Sequence, residues 1–354
     1  MRYGRLTQTA WQRSVRRQLH KRGEDALFTP SPWENVSGLA GRDGEAFLWA
    51  DACASGSSAR TGYYAVLKAA GDLAAKGVCP SCVSVRILFP PGAEEEELRE
   101  ITAGVEDACS RMAMQVTSLQ GETVCAAGQT IVSVTAAGRS EMQETGLNQP
   151  KAFVQEQQEK LHAAPEQEIV YCGYAGLEGM LRVLDEAREE LGTRFVSTFL
   201  EQAAGLTREL VTPEQILSLF KDSDAQPRVT AVCQAGSGGI LAALWELSEI
   251  LHTGLETDMQ AISIRQETVE ICEFYRLNPY QMASAGSFLI VTEDAQAVIE
   301  ILEKAGARAG RLGVTKAQNA RVITSGEEIR YLDRPAPDEL ALWQAGRHGQ
   351  MAAK

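Results

Sequence analysis

The chain has 354 residues, which is enough for two domains with a core in each. Its formal net charge of −13 lacks the basic field that a nucleic-acid backbone requires, so we expect no nucleic-acid partner. A hydrophobic fraction of 44% is typical of a globular protein, but no apolar run reaches the roughly 18 to 20 residues of a membrane span, so we expect no membrane association. With no apolar secretion signal at its start and only eight scattered cysteines, the chain is predicted to be cytoplasmic.

The first 22 residues carry seven basic side chains and no acidic one. Trp11, Val15 and Leu19 recur every four residues and predict a helix over residues 8–21 with one apolar stripe. Two interpretations of this basic segment, 1–22, stay open. It is either a docking helix with a solvated basic face or a surface for an anionic ligand or a partner.

Strands and helices alternate in both halves of the chain, which indicates a mixed α/β or α+β class. The first half has predicted strands at 46–50, 83–89 and 129–135, and predicted helices at about 60–76 and from 94 onward. The second half has predicted strands at 168–172, 228–233, 262–265, 286–292 and 321–324, and predicted helices at 177–205, 213–221, 238–253, 267–275 and 294–305. A polar stretch with two prolines predicts a linker at 141–167 between domains at 23–140 and 168–340, followed by a tail at 341–354.

Three acidic residues of the first half are candidates for a metal site. Asp51 follows the apolar run 46–50, Asp72 interrupts an apolar helix, and Glu122 comes just before a predicted strand. A carboxylate beside a buried run is costly unless it is paired or bound to a metal, and Mg²⁺ prefers such oxygen ligands. The three could therefore hold a magnesium–nucleotide complex, although helix caps and surface ion pairs explain most residues of this kind.

Two other features carry weaker signals. The turn Gly236-Ser237-Gly238-Gly239 before an apolar helix is typical of a helix start that binds an anion, but it is equally typical of a tight strand-to-helix turn. Cys79 and Cys82 form one C-x-x-C pair, whereas a structural zinc site needs four ligands, and the four histidines are scattered. Catalysis by a Ser–His or Cys–His pair is not expected for the same reason.

The order of these motifs resembles the aminoimidazole ribonucleotide (AIR) synthetase superfamily, and within it the hydrogenase maturation factor E branch. The resemblance covers about residues 1–340. In the first half it is carried by Asp51, by the segment 71–77 (Gly-Asp-Leu-Ala-Ala-Lys-Gly) and by Gln120-Gly121-Glu122. In the second half it is carried by segments 176–179, 238–246, 267–280, 284–290, 306–313 and 335–340.

The resemblance implies a two-domain AIR synthetase-like fold, with an N-terminal α/β sheet domain and a C-terminal α+β sheet domain. It also implies a homodimer built through the N-terminal sheets, and ATP with Mg²⁺ bound between the domains. The shared chemistry is the ATP-dependent activation of an atom of the substrate, often an oxygen. The maturation factor itself dehydrates a carbamoyl group that is carried on its C-terminal cysteine.

The sequence departs from the family pattern at the positions that matter for this chemistry. The last cysteine is Cys272, so the terminal thiol is not matched. Asn35 and Gln234 stand where the family has Asp, Ser237 stands where it has Glu, and Gly71 stands where it has Asn. The family's Gly-Gly-Asp/His-Thr motif aligns with residues 118–121, so Gln120 is neutral, with Glu122 just after. An amide side chain in place of a carboxylate keeps its shape but lacks the negative charge that holds Mg²⁺ against its strong hydration.

The sequence therefore predicts a diverged member of this family in which neutral side chains replace several charged residues of the nucleotide site. The predicted nucleotide-binding positions are Asn35, Asp51, Asp72, Gln120, Glu122, Gln234, Gly238 and Gly239, and the predicted metal ligands are Asp51, Asp72 and Glu122. Three functional hypotheses stay open: a binding or regulatory protein that takes a nucleotide or another small anion, an active ATP-dependent enzyme, and a metal or redox module built on Cys79 and Cys82.

Overall fold

The computed structural model describes residues 5–20, 23, 25–41, 45–140, 166–221 and 229–352. All but the last two residues of the predicted linker lie outside these ranges. Within the described residues, no helix is long and apolar enough to cross a bilayer. The predicted N-terminal helix is shorter than expected: α1 (Gln8–Ser14) is followed by one 3₁₀ turn at Arg16–Gln18. None of the α1 residues is buried.

The first domain is a five-stranded sheet with two helices on one face. The strands are β1 (Val36–Ala40), β2 (Ala46–Ser55), β3 (Pro80–Phe89), β4 (Gln115–Thr123) and β5 (Ile131–Ser140), in the order β1-β2-β5-β3-β4. Alternate residues of β2 are buried, as expected for a strand with one covered face. The covering helices are α2 (Thr61–Ala74) and α3 (Glu95–Arg111).

Helix α2 is one of the elements that join the two domains. Every one of its residues except Lys68 is buried. It packs on β2 and β5 in the first domain and also contacts β7 (Val229–Gln234) in the second. A helix enclosed in this way has to be apolar all round, which explains its run of alanine and leucine. Asp72 is therefore a charged group in a buried setting, where it needs a polar partner.

The second domain is a seven-stranded sheet in the order β12-β11-β8-β10-β6-β9-β7. Its other strands are β6 (Glu168–Cys172), β8 (Gly254–Asp258), β9 (Phe288–Thr292), β10 (Ala309–Lys316), β11 (Arg321–Ser325) and β12 (Glu328–Tyr331). Its helices are α4 (Leu177–Leu191), α5 (Ser197–Gly205), α6 (Pro213–Leu217), α7 (Gly239–Leu251), α8 (Gln266–Tyr275), α9 (Ala295–Lys304) and α10 (Glu339–Ala352). Leu244 and Leu247 of α7 fill the core on one face, and Val298 and Leu302 of α9 fill it on the other.

The mixed class and the two-domain fold predicted from the sequence are confirmed, with local corrections. The strands β1, β4, β8, β10 and β12 were not predicted, and the helix predicted at 177–205 is two helices, α4 and α5. The predicted strand at 262–265 is wrong, because the strand of this region is β8 and residues 262–265 lead into α8. Ile262 is only 5% exposed, so its apolar character reflects burial in a connecting segment and not strand pairing. The predicted tail also differs: its residues up to 352 belong to α10, whose Trp343 and Gln344 are buried.

Candidate functional site

A polar cluster lies where α2 of the first domain meets the end of β7 in the second. The carboxamide of Gln234 is its centre. Its Nε2 donates to Asp72 Oδ1 at 2.9 Å and to the Lys68 carbonyl oxygen at 2.8 Å. Its Oε1 accepts a hydrogen bond from the Gly286 backbone N–H at 3.2 Å. Both ends of the amide are therefore engaged, and the buried Asp72 carboxylate has its partner within the protein.

Gly71 makes room for this amide. A Cβ atom at residue 71 would lie 2.4 Å from Gln234 Oε1 and 2.7 Å from its Cδ, much closer than van der Waals contact. A glycine inside a helix costs roughly 1 kcal/mol of stability relative to alanine. At position 71 the space that glycine leaves for the Gln234 amide offsets this cost. Gly71 and Gln234 are two of the positions at which the sequence departs from the family pattern, and the structure places them in contact.

The cluster is balanced in charge. Its cations are Lys68, Lys76 and Arg5, and its anions are Asp72, Glu34 and Glu246. Burial raises the pKa of Asp72, and the hydrogen bond from Gln234 and the charge of Lys68 oppose that rise. Burial disfavours the Lys76 ammonium, but Glu34, whose Oε2 lies 2.9 Å from Nζ, outweighs this and raises the pKa of Lys76. No surplus of negative charge is left for a divalent cation.

Arg5 closes the cluster from the side of the N-terminal segment. Its Nη1 lies 2.7 Å from both carboxylate oxygens of Glu246 on α7, and its Nη2 donates to Asn35 Oδ1 at 3.0 Å. Burial raises the pKa of Glu246, and the Arg5 charge opposes that rise. The predicted site residue Asn35 thus lies in this cluster, but its oxygen is already taken by a cation of the same chain.

The backbone N–H of the glycine turn before α7, which an anion could have bound, is bonded to a side chain of the same chain. The Gly238 N–H donates to Asp338 Oδ2 at 2.5 Å, and Asp338 Oδ1 accepts from the backbone N–H groups of Leu340 and Ala341. One buried carboxylate therefore caps both α7 and α10. A Cβ atom at Gly239 would lie 2.5 Å from the Tyr280 carbonyl oxygen, so close packing accounts for that glycine.

Asp51, Gln120 and Glu122 lie elsewhere, on the uncovered face of the first sheet. Asp51 is in the middle of β2 and not at its end, and it accepts a hydrogen bond from Thr135. Glu122 lies within β4, and its carboxylate pairs with Arg86. Two strands separate β2 from β4, which places them about 14 Å apart at the usual strand spacing. Within one chain these residues do not share a site with Asp72.

No group of three or more Cys, His, Asp or Glu side chains suited to a metal is present in the part of the chain that the structure describes. Cys79 is exposed and Cys82 is half-buried near the start of β3.

Arg5, Glu246 and Asp338 are not among the site residues predicted from the sequence. The one signal that could have pointed to Arg5 was the opposition between the basic start of the chain and the carboxylates of α7.

Comparison with known proteins gives the family. Residues 46–140 match the AIR synthase related protein N-terminal domain, and residues 154–325 match the C-terminal domain. A putative hydrogenase expression/formation protein of Methanocaldococcus jannaschii is 25% identical over 286 residues, which are 79% of this chain and 77% of that protein.

Two solved structures share the fold. The Escherichia coli hydrogenase maturation protein HypE has a TM-score of 0.64 at 18% identity, over 82% of this chain and 88% of that one. A HypE structure in complex with ATP has a TM-score of 0.61 at 15% identity, over 83% of this chain and 87% of that one. The similar proteins named here are a putative hydrogenase expression/formation protein and hydrogenase maturation proteins HypE. The chain therefore belongs to the AIR synthase related family.

Proposed function

We propose that this chain is a HypE-like protein in which the magnesium–ATP chemistry of the fold is weakened or lost, and that it works as a binding or regulatory protein. The observation that carries the proposal is the bond between Gln234 and Asp72 at 2.9 Å. Asp72 is the one predicted metal ligand in the cleft between the domains, and its carboxylate is held by a neutral amide.

The charge of the site decides whether it can hold a magnesium–nucleotide complex. Mg²⁺ gives up its water reluctantly and is held in proteins by one or two carboxylates together with substrate phosphates. In this cleft each carboxylate already faces a cation or an amide of the same chain, and the Gly238 N–H that a phosphate could use faces Asp338. A magnesium–nucleotide complex would have to displace these internal partners. The free energy of the lost internal contacts would then be subtracted from its binding free energy.

The proposal extends to a homodimer formed through the uncovered face of the first sheet. Leu39 and Phe47 are 41% and 47% exposed on this face, and the rings of Phe47 and Trp49 lie 5.9 Å apart. Large exposed apolar side chains grouped on one sheet face are typical of an interface. A dimer of this kind would also bring a partner chain close to Asp51 and Glu122.

Titration of ATP into the purified protein, with and without Mg²⁺, tests the central point. We expect no binding up to millimolar ATP in either condition. Micromolar, magnesium-dependent binding would contradict the proposal. An ATP-binding HypE relative is the positive control, because it shares the fold.

The alternative is an active ATP-dependent enzyme that activates an oxygen of a small-molecule substrate. The likeness to a fold that holds ATP in a relative favours it. This alternative predicts ATP hydrolysis that disappears in Asp72→Asn. Turnover that persists in that variant would remove Asp72 from the mechanism.

A further inference from the structure

The N-terminal arm, residues 5–18, is held to the rest of the protein by polar contacts and not by a core. No residue of α1 is buried. Two side chains of the arm bond to α7: Arg5 to Glu246, and Gln8, whose Nε2 donates to Glu249 Oε2 at 3.0 Å. The first 22 residues carry seven basic side chains and no acidic one, and Arg5 supplies the cation that faces Glu246, whereas the Glu249 carboxylate also pairs with Arg321.

Arg5 bridges the two domains. Glu246 lies on α7 of the second domain, whereas Asn35 lies immediately before β1 of the first. Three oxygen acceptors from the two domains therefore converge on one guanidinium, whose planar fork suits such a set of acceptors. The Arg5 and Glu246 side chains keep 31% and 17% of their surface exposed, so this contact is only partly buried.

We propose that the arm is an electrostatic latch: Arg5 closes the cleft between the domains, and release of the arm opens it to a ligand. The proposal rests on the proposed function for the location of the ligand site. Release leaves Glu246 without its cation and leaves the Asn35 oxygen free. The open cleft is then net negative, because Lys68 and Lys76 face three carboxylates, and it favours a cationic ligand or a metal-bound one over a free anion.

The strength of such a latch depends on salt. Partly exposed ion pairs are screened over about 8 to 10 Å at physiological ionic strength, and no residue of α1 is fully buried, so apolar packing contributes little to holding the arm. We therefore expect the arm to detach when salt is raised, while the domains, which are held by apolar cores, stay folded.

The test is the rate at which trypsin cuts the full-length protein after Arg16 or Arg17, followed by mass spectrometry. We expect Arg5→Ala to raise this rate about tenfold, because cleavage of a reversibly opened segment follows the population of the open form. Arg13→Ala is the matched control: it removes the same charge from the same arm at an exposed position, and we expect the wild-type rate.

Two further measurements separate release of the arm from a general destabilisation of the folded protein. Raising NaCl from 50 to 500 mM should speed cleavage of the wild type and leave Arg5→Ala unchanged. Glu246→Gln should match Arg5→Ala, and the double variant should add nothing. Equal rates in the wild type, Arg5→Ala and Arg13→Ala would overturn the latch. These rates need no ligand, so they separate a failure of the latch from a failure of the proposed function.

Discussion

Gly71→Ala tests whether the contact between Gly71 and Gln234 holds the cleft together. The added methyl group would lie 2.4, 2.7 and 2.9 Å from Oε1, Cδ and Nε2 of Gln234, so the amide has to move. Movement breaks its bonds to Asp72, the Lys68 carbonyl oxygen and the Gly286 N–H.

The expected magnitude follows from three contributions. Overpacking of a filled core costs about 1 to 3 kcal/mol. Loss of a hydrogen bond to a buried carboxylate costs about 1.5 to 3 kcal/mol. The better helix propensity of alanine returns about 1 kcal/mol. We therefore expect Gly71→Ala to lower the free energy of unfolding by about 1.5 to 5 kcal/mol, measured by urea denaturation followed by circular dichroism.

Gly346→Ala is the matched control. Gly346 lies inside α10, and a Cβ atom there would meet no atom within 4 Å. This variant should raise stability by about 0.5 to 1 kcal/mol through helix propensity alone. A second variant, Gln234→Ala in the Gly71→Ala background, should cost almost nothing more, because the amide is already displaced. If Gly71→Ala is as stable as Gly346→Ala, the reasoning about the amide is wrong.

Three further predictions concern the ionisable groups. Burial raises the pKa of Asp72 in the folded protein, so folding favours its protonated form. Asp72→Asn should therefore raise the melting temperature at pH 7. This gain should vanish as the pH falls below about 3.8, the ordinary pKa of an Asp side chain, because Asp72 is then protonated in both the folded and the unfolded state. Asp338→Ala, which removes the cap on the Gly238 N–H, should lower stability by about 1 to 2 kcal/mol in the same denaturation assay. Burial raises the pKa of the Cys233 thiol to about 12, so iodoacetamide at pH 8 should leave Cys233 unmodified and should label the exposed cysteines Cys79 and Cys125, as read by peptide mass spectrometry.

Most of the fold could be predicted because its signals are local. The alternation in Val83 to Phe89 indicated a strand, and the apolar run around Asp72 indicated a buried helix. Five strands were missed. Each of β1, β8 and β10 contains glycine, which is depleted in strands and weakens the signal. The strands β4 and β12 were missed for a different reason. Neither has a buried residue, so neither shows the alternation that one covered face imposes.

The candidate site was predictable only in part, because its contacts join distant parts of the chain. Asp72 and Gln234 are 162 residues apart, and Arg5 and Glu246 are 241 apart. The family resemblance indicated that the charges at positions 35 and 234 had changed. It could not show that Gln234 occupies the space left by Gly71, since that requires the packing of α2 against β7.

The most direct test of the account is a calorimetric titration of magnesium–ATP into the wild type and into Gly71→Asn/Gln234→Asp, which carries the family's residues at both positions. We expect no binding to the wild type up to millimolar ATP. In the double variant we expect measurable, magnesium-dependent binding, because a second carboxylate beside Asp72 restores a cation site. Tight, magnesium-dependent binding to the wild type would contradict the central claim that the bond between Gln234 and Asp72 replaces the metal.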